Sequence, residues 1–373
     1  MMGNPLVTVL MPNHNGGKYL AEAIQSVLNQ TFEDFELLIV EDASTDNSRE
    51  VIASFKDPRI RVIPFENNEH ICFALNTGLS EAGGKYIARL DSDDRWYPDK
   101  LRRQVEYLEA HPECGASFTW VNVIDETGRT LTEKESIFPA IFRSPNRPRT
   151  QWVHDFYFQG SLLCHPSAIF PKAVIDELGP YRISLVQLQD YEMWIRIAKH
   201  YDLYVFEEPL MDYRHALKGG NVSELSVANK NRSYYETYNV ISRFFDDMSD
   251  EEFIACFGDN LKKKGTTDHT ELLCERALML LDPGFWGHVG KLAGMNKLAE
   301  LLDCEETGKV LKEQYCVSQM NFYELTTGGV LQMEDAPSVL DQFTRRQLGR
   351  SFMKKTVHKH PWLQKFVNWV RKK

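Results

Sequence analysis

The stretch "RLDSDDRWYPDKL", residues 89–101, sets Asp91, Asp93 and Asp94 behind an apolar run of Tyr86, Ile87, Ala88 and Leu90. Carboxylates this close repel one another unless water or a cation absorbs the field. One chemistry is an acidic turn in water. The other is a site for a hard divalent cation, which prefers carboxylate oxygens. A second acidic pair, Glu41-Asp42, also ends an apolar run, in "ELLIVEDAST". A carboxylate there can accept the ring N–H of uracil, thymine or guanine, so Asp42 could face a nucleotide base without fixing which one. Asp46 lies in a run of Ser, Thr, Asp and Asn and reads as a helix cap. Asp190, in "LQDYEMWIR", stands near the start of a helix whose Trp194 and Ile197 face inward. The helix dipole favours a carboxylate at that place.

The elements around these residues alternate. "LVTVLM" (6–11), "ELLIVE" (36–41), "IRVIPF" (60–65) and "KYIARL" (85–90) are short apolar runs expected as strands. Between them, "KYLAEAIQSVLNQ" (18–30) puts Leu20, Ala23, Ile24, Val27 and Leu28 on one helical face. "STDNSREVIASFKD" opens on capping residues and continues with Val51, Ile52 and Phe55 at helical spacing, and "FALNTGLSEAGG" (73–84) ends on a glycine stop. This order predicts right-handed βαβ crossovers and a mostly parallel sheet. Ligands of such sheets lie beyond the carboxyl ends of the strands. Both acidic groups fall there, which favours the cation site for residues 91–94.

The middle of the chain, about 114–215, is mixed. "CGASFTWVNVIDETGRTLTE" predicts a strand, a turn at Thr127-Gly128 and a return. Residues 139–160, rich in Pro, Arg and aromatics without periodicity, are expected as a long loop or lid. "HPSAIFPKAVIDELG" predicts a strand and a helix closed by Gly179, "LQDYEMWIRIAKHY" a helix, and "LYVFEEPLMDYRH" two short strands. From about 225 onward amphipathic helices take over, in "SYYETYNVISRFF", "TELLCERALMLL", "MNKLAELL" and "GKVLKEQY". A boundary is expected near 222–230.

The totals narrow the class. A chain of 373 residues has room for two or three domains, and 43% hydrophobic with 26% charged residues suits a buried core. No apolar run approaches the ~18 residues of a spanning helix, and "MMGNPLVTVLMPNHNGG" lacks the features of a secretory signal. The seven cysteines show no CxxC pair and no zinc spacing. They are expected to be reduced thiols of a cytoplasmic protein. The net charge of −10 argues against nucleic acid as a partner of the whole surface. The charge is uneven, however: residues 342–373 carry ten Lys and Arg and no Asp or Glu.

Three segments, "TVLMPNHNGGKYLAEAIQSVLNQTFEDFELLIVEDASTDNS", "NTGLSEAGGKYIARLDSDDRWYPDKLRRQVEYL" and "GPYRISLVQLQDYEMWIRIAKHYDLYVFEEPLMDYRHALKGGNVS", in this order resemble the family 2 glycosyltransferases over about residues 5–225. The resemblance implies an α/β GT-A nucleotide-sugar-binding domain with a mostly parallel central sheet over 1–225. Its nucleotide-sugar half is about 1–112 and its acceptor half about 113–225. The helical C-terminal region, 226–373, lies outside the resemblance. The implied activity is inverting transfer of a sugar from a nucleotide-sugar donor, a UDP-sugar being favoured, to an acceptor hydroxyl. Glycan, lipid-linked and protein acceptors all fit, in cell-surface polysaccharide or glycan assembly. By the family's motifs Asp42 binds the base, and the backbone of Pro12 and Asn13 touches base or ribose beside His14. The DxD motif maps to Asp91-Ser92-Asp93. Asp91 then faces the ribose or metal-bound water, Asp93 holds Mn²⁺ or Mg²⁺, and Asp94 supports them. A divalent ion there offsets the charge of the departing diphosphate. Asp190 is the implied general base, which takes the acceptor's proton. It stands in Gln189-Asp190 where the family usually has Glu-Asp; Glu41, likewise, stands where Asp is frequent. Glu192, on another helical face, is a weaker second carboxylate. His215 is implied as a contact of the metal or diphosphate, and His165 borders the acceptor.

Other classes fit less well. A sugar nucleotidyltransferase is expected to carry a Gly-rich, Arg-containing loop after the first strand, and a dehydrogenase a GxGxxG after a strand. Neither is present. A catalytically silent glycosyltransferase-like scaffold is the non-enzyme alternative, and intact Asp42, Asp93 and Asp190 speak against it. The helical region is expected to support an oligomer. In the tail, "HKHPWLQKFVNWVRKK", Trp362, Leu363, Phe366, Val367 and Val370 form one stripe flanked by Lys359, Lys365, Arg371, Lys372 and Lys373. That pattern predicts peripheral contact with the inner face of an anionic membrane, or a helix packed on its own domain.

Overall fold

In the computed structural model the described residues are 4–136, 138–215, 227–282 and 286–327. The chain divides into two compact units, residues 1–156 with 161–229, and residues 157–160 with 230–373. The basic tail and residues 216–226, where the sequence boundary was expected to begin, lie outside the described residues.

The first unit is built on an eight-stranded sheet of order β3-β2-β1-β4-β7-β6-β8-β5. Its strands are β1 (Val7–Asn13), β2 (Phe35–Glu41), β3 (Ile60–Pro64), β4 (Tyr86–Arg89), β5 (Arg95–Trp96), β6 (Cys114–Ile124), β7 (Ile169–Pro171) and β8 (Asp202–Arg214). Strands β3, β2, β1 and β4 run parallel, as do β6 and β8; β7 and β5 pair antiparallel. Parallel strands need crossovers. These are α1 (Gly17–Leu28), α2 (Ser48–Ser54) and α3 (His70–Glu81), followed by α4 (Lys100–Ala110). Every residue of β1 is buried, as expected of a central strand covered on both faces. Leu20, Ala23, Ile24 and Val27 of α1 pack with Val7, Val9 and Met11 of β1 and with Leu101, Val105 and Leu108 of α4. Gly78 of α3 passes so close to β1 that a Cβ there would lie 2.1 Å from Leu10 Cδ1.

Three expectations are corrected. Residues 139–160 are not a loop: they contain α5 (Phe138–Ile141) and α6 (Arg149–Gln159). Trp152, Val153, Phe156 and Tyr157 are all buried. Aromatics on several sides of α6 blur its helical period. "LYVFEEPLMDYRH" is one strand, β8. Its register against β6 shifts around Trp120, which pairs with Pro209, so the proline falls at an irregularity that tolerates its missing N–H. The return after Thr127-Gly128 is only a bridge, Ile124 to Thr130.

The first unit also contains α7 (Lys172–Leu178) and α8 (Gln189–His200). The later helices are α9 (Val227–Ile241), α10 (Asp250–Phe257), α11 (His269–Leu281), α12 (Gly287–Leu302), α13 (Glu305–Tyr315) and α14 (Gln319–Thr327). Helix α10 starts on a capping box of Ser249 and Glu252. A cluster of Tyr157, Phe244, Phe245, Phe253 and Phe257 fills part of the second unit, with ring centroids 5.0–6.4 Å apart. No described helix is long and apolar enough to cross a membrane.

Candidate active site

The parallel register carries β1 and β2 to a common end, where Asn13 pairs with Glu41. The next residue, Asp42, donates its N–H to Asn13 O at 2.8 Å. Its side chain is buried, and Oδ1 accepts the Glu69 N–H at 2.7 Å. Ala43 follows at φ 52, a left-handed conformation that costs a non-glycine residue about 1–2 kcal/mol. The His14 ring fixes this turn. Nδ1 lies 2.6 Å from Asp42 O, so it must carry the proton, and Nε2 then accepts from Asn68 Nδ2 at 2.8 Å. His14 is therefore a clamp on the Asp42 turn. Pro12 and Asn13 are the last residues of β1, and Asn13 Oδ1 is buried without a hydrogen-bond partner.

The neighbouring acids divide into structural and available ones. Glu41 accepts from Ser44 N at 2.6 Å and from Arg49 Nε at 2.7 Å. Asp46 accepts from Gly17 N at 2.9 Å and from Ser48 N and Oγ at 2.9 and 2.6 Å. It thus satisfies first-turn donors of both α1 and α2, which agrees with its capping pattern.

Strand β4 brings the acidic turn beside this edge. Leu90 N–H donates to Leu10 O at 3.1 Å, and a Cβ on Gly16 would lie 2.5 Å from Ser92 Oγ. Only glycine lets the β1–α1 loop approach the turn so closely. Two arginines hold the acids. Arg89, 1% exposed, donates from Nη2 to Asp91 Oδ1 at 2.5 Å. Arg214 donates from Nε to Asp93 O at 2.8 Å and from its backbone N to Asp94 Oδ1 at 2.7 Å. Its Nη2 reaches Glu22 Oε2 at 3.0 Å, and the guanidinium lies over the Tyr19 ring at 4.1 Å. Asp94 Oδ2 is buried without a partner. Burial, and then the charge of Asp91, pushes the Asp93 carboxyl up to about 7; burial and then Asp93 push the Asp94 carboxyl well above the usual carboxylate range.

Asp190 lies in the first turn of α8. Burial pushes its carboxyl up to about 6, although the Tyr191 N–H opposes the shift. Asp91 raises it further and Arg89 lowers it, so the base candidate and the acidic turn share one electrostatic field. Glu192 is different. Its oxygens accept from Arg182 Nε at 2.7 Å and Arg196 Nε at 2.9 and 3.1 Å. Both carboxylate oxygens of Glu192 are thus engaged by arginine side chains.

His165 and His215 have different surroundings. His165 is buried, with Nε2 2.8 Å from the Tyr181 hydroxyl, and burial holds its pKa well down. His215 follows Arg214 at the end of β8, donates its backbone N–H to Ile124 O at 2.8 Å and sets its ring edge-on to Phe138. Burial lowers its pKa, and Glu126 is the charge that opposes this. Among the described residues no group of three or more His, Cys, Asp or Glu is disposed to hold a metal. Sequence reasoning missed Arg89 and Arg214. Arg89 had a signal: a lone arginine in an apolar strand run must be paired inside the protein.

The sheet order, the crossovers and the acidic turn after β4 define a GT-A-type fold. Solved structures share it. The Staphylococcus aureus protein TarS, residues 1–349 with UDP-GlcNAc, aligns over 84% of this chain and 92% of its own, with a TM-score of 0.56 at 15% identity. The mannosyltransferase PcManGT of Pyrobaculum calidifontis, with GDP-mannose and Mn²⁺, aligns over 88% of both chains with a TM-score of 0.50 at 17% identity. In sequence, the family described as "Glycosyl transferase family 2" matches residues 8–179. An uncharacterised glycosyltransferase of Methanocaldococcus jannaschii is 35% identical over 239 residues, 63% of this chain and 79% of that protein. The Bacillus subtilis protein named as the teichuronic acid biosynthesis glycosyltransferase TuaG is 38% identical over 129 residues, 34% of this chain and 51% of its own. The chain belongs to the family 2 glycosyltransferases.

Proposed function

We propose that the protein is an inverting, metal-dependent glycosyltransferase acting from the cytoplasmic side. It moves a sugar from a nucleotide-sugar donor, a UDP-sugar by preference, to an acceptor hydroxyl in cell-surface polysaccharide or glycan assembly. The observation that carries the reading is Asp190, a helix-borne carboxylate raised to about 6 within the field of Asp91 and Arg89. The UDP-GlcNAc and GDP-mannose bound by the fold's neighbours support a nucleotide-sugar donor. The name of TuaG supports a surface-polysaccharide acceptor.

Asp42 accepts the ring N–H of the base, and the ends of β1 at Pro12 and Asn13 flank base and ribose. The donor set of the acidic turn fits a hard cation: its donors are carboxylate oxygens, and Asp94 Oδ2 has no other partner. Asp93 would hold Mn²⁺ or Mg²⁺, with His215 as its proposed companion on the strength of the family resemblance and Asp91 toward the ribose or a metal-bound water. When bound, such an ion offsets the charge that builds on the diphosphate leaving group. Asp190 takes the acceptor's proton as its oxygen attacks the sugar carbon opposite the leaving group, which inverts that centre. A base near 6 is ionised at neutral pH yet more basic than an ordinary Asp. No covalent nucleophile is needed.

The test is a panel of nucleotide sugars, UDP-GlcNAc and GDP-mannose included, assayed for nucleotide release with Mn²⁺ and with EDTA. Release that depends on the metal is expected. A chain that binds these donors but never turns them over is the silent scaffold instead.

A further inference from the structure

The segment leading into Asp190 is tied down more heavily than a connecting loop requires. Helix α7 ends at Gly179, whose φ of 94 turns the chain away and leaves helix-end carbonyls unpaired. Arg196, from the second turn of α8, supplies the missing donors. Its Nη1 reaches Leu178 O at 2.6 Å and Gly179 O at 2.7 Å, and its Nη2 reaches Pro180 O at 2.9 Å. Its Nε is left for Glu192. Glu192 also binds Arg182, so residues 182 and 192 are joined across the stretch that contains Asp190. Tyr181 is held from the other side: Asn76 of α3 accepts its N–H at 2.9 Å and donates to its O at 2.7 Å. Cys72 donates to Leu185 O. Between these ties Ile183 stands 73% exposed.

A helix cap would need one or two of these bonds. The planar fork of Arg196 instead spends its N–H groups on three successive carbonyls and on a carboxylate in the same helical turn as Asp190. We propose that Arg196 is a positioning residue for the transfer step. It fixes the turn after α7 and, through Glu192 and Arg182, closes the segment 182–192, so that Asp190 meets the acceptor hydroxyl in one geometry. This rests on the reading of Asp190 as the base. A displacement of about 1 Å in such a group can cost on the order of 10²-fold in rate.

The test is a double-mutant cycle of Arg196→Lys and Asp190→Asn, read as Mn²⁺-dependent hydrolysis of UDP-GlcNAc and GDP-mannose. Lysine keeps the charge and loses the fork. Arg196→Lys is expected to lower kcat about 10- to 100-fold with donor KM unchanged. In the Asp190→Asn background it should do nothing more, because it acts only through Asp190. Full additivity, or a change confined to KM, overturns the inference while leaving Asp190 in place. Full activity of Asp190→Asn alone instead overturns the base reading. Amide hydrogen exchange gives a readout independent of turnover: exchange at 181–188 should quicken in Arg196→Lys while the rest of the sheet keeps its protection. Unchanged exchange there refutes the positioning role. Should Arg196→Lys fail to fold, Arg182→Lys cuts only the Glu192 link from a partly exposed side chain, and a smaller change of the same sense is expected.

Discussion

At the residue scale, the proposed base Asp190 is tuned by an incomplete burial. Crowding by protein raises its carboxyl to about 6, and the Tyr191 N–H and Arg89 keep it from rising further. The active form is the deprotonated one, so kcat should be low at acid pH and climb through an apparent pKa near 6. A pH–rate profile that is flat from 5 to 8 would place the base elsewhere. Asp190→Asn should keep nucleotide binding, measured by calorimetry with Mn²⁺, and lose about 10²–10⁴-fold in turnover. Asp93→Ala is the counterpart on the donor side: Mn²⁺-dependent turnover should vanish while the melting temperature holds, since the hydrogen bond from Arg214 goes to the backbone O of Asp93, which alanine keeps. Wild-type rates in EDTA would sink the metal role. The acids themselves were legible in the sequence, because strand ends and spacing mark them. Their counter-ions were not. Arg214 lies 120 residues from Asp94, whose carboxylate its backbone N–H meets, and no local pattern announces a contact of that range.

At the element scale, the strand–helix alternation of the first hundred residues was legible because each apolar run is short and each helix keeps one apolar face. Helix α6 was not, because its buried residues crowd more than one side. The helix ends depend on individual polar residues, and Asp46 tests this. It holds the first N–H of α1 and of α2 together. Asp46→Ala should cost about 1–2 kcal/mol per lost cap, and Asp46→Asn less, since Asn also caps. Burial pushes the Asp46 carboxyl up, but the Ser48 hydroxyl and the N–H groups of Ser48 and Gly17 outweigh it and leave the pKa below the ordinary value. A depressed carboxyl stabilises the fold fully above the unfolded pKa and loses that contribution as pH falls through the lower folded one. The stability gap between wild type and Asp46→Ala, from urea melts, should therefore be full at neutral pH and close in acid. A gap that does not change with pH would mean that the charge is irrelevant and only the shape of the cap matters.

At the scale of the whole molecule, the family signatures end within the first unit, and the helices beyond them carry no motif of their own. What distinguishes the end of the chain is charge. A protein of net charge −10 keeps ten Lys and Arg, and no acid, within residues 342–373. These residues lie outside the described structure. Trp362, Leu363, Phe366, Val367 and Val370 recur at helical spacing, and Lys359, Lys365, Arg371, Lys372 and Lys373 flank them. A helix of that pattern would lie in an anionic interface with its aromatics down. Each basic residue near the surface adds roughly 1 kcal/mol, and salt screens this attraction. A transferase whose acceptor is lipid-linked would gain from being held where that acceptor is. The full chain should float with anionic vesicles at low salt and detach as salt rises, whereas the chain ending at Arg350 should stay at the bottom of the gradient. Equal flotation of the two, or flotation of neither, would leave the stripe as a face that packs on the chain's own helices.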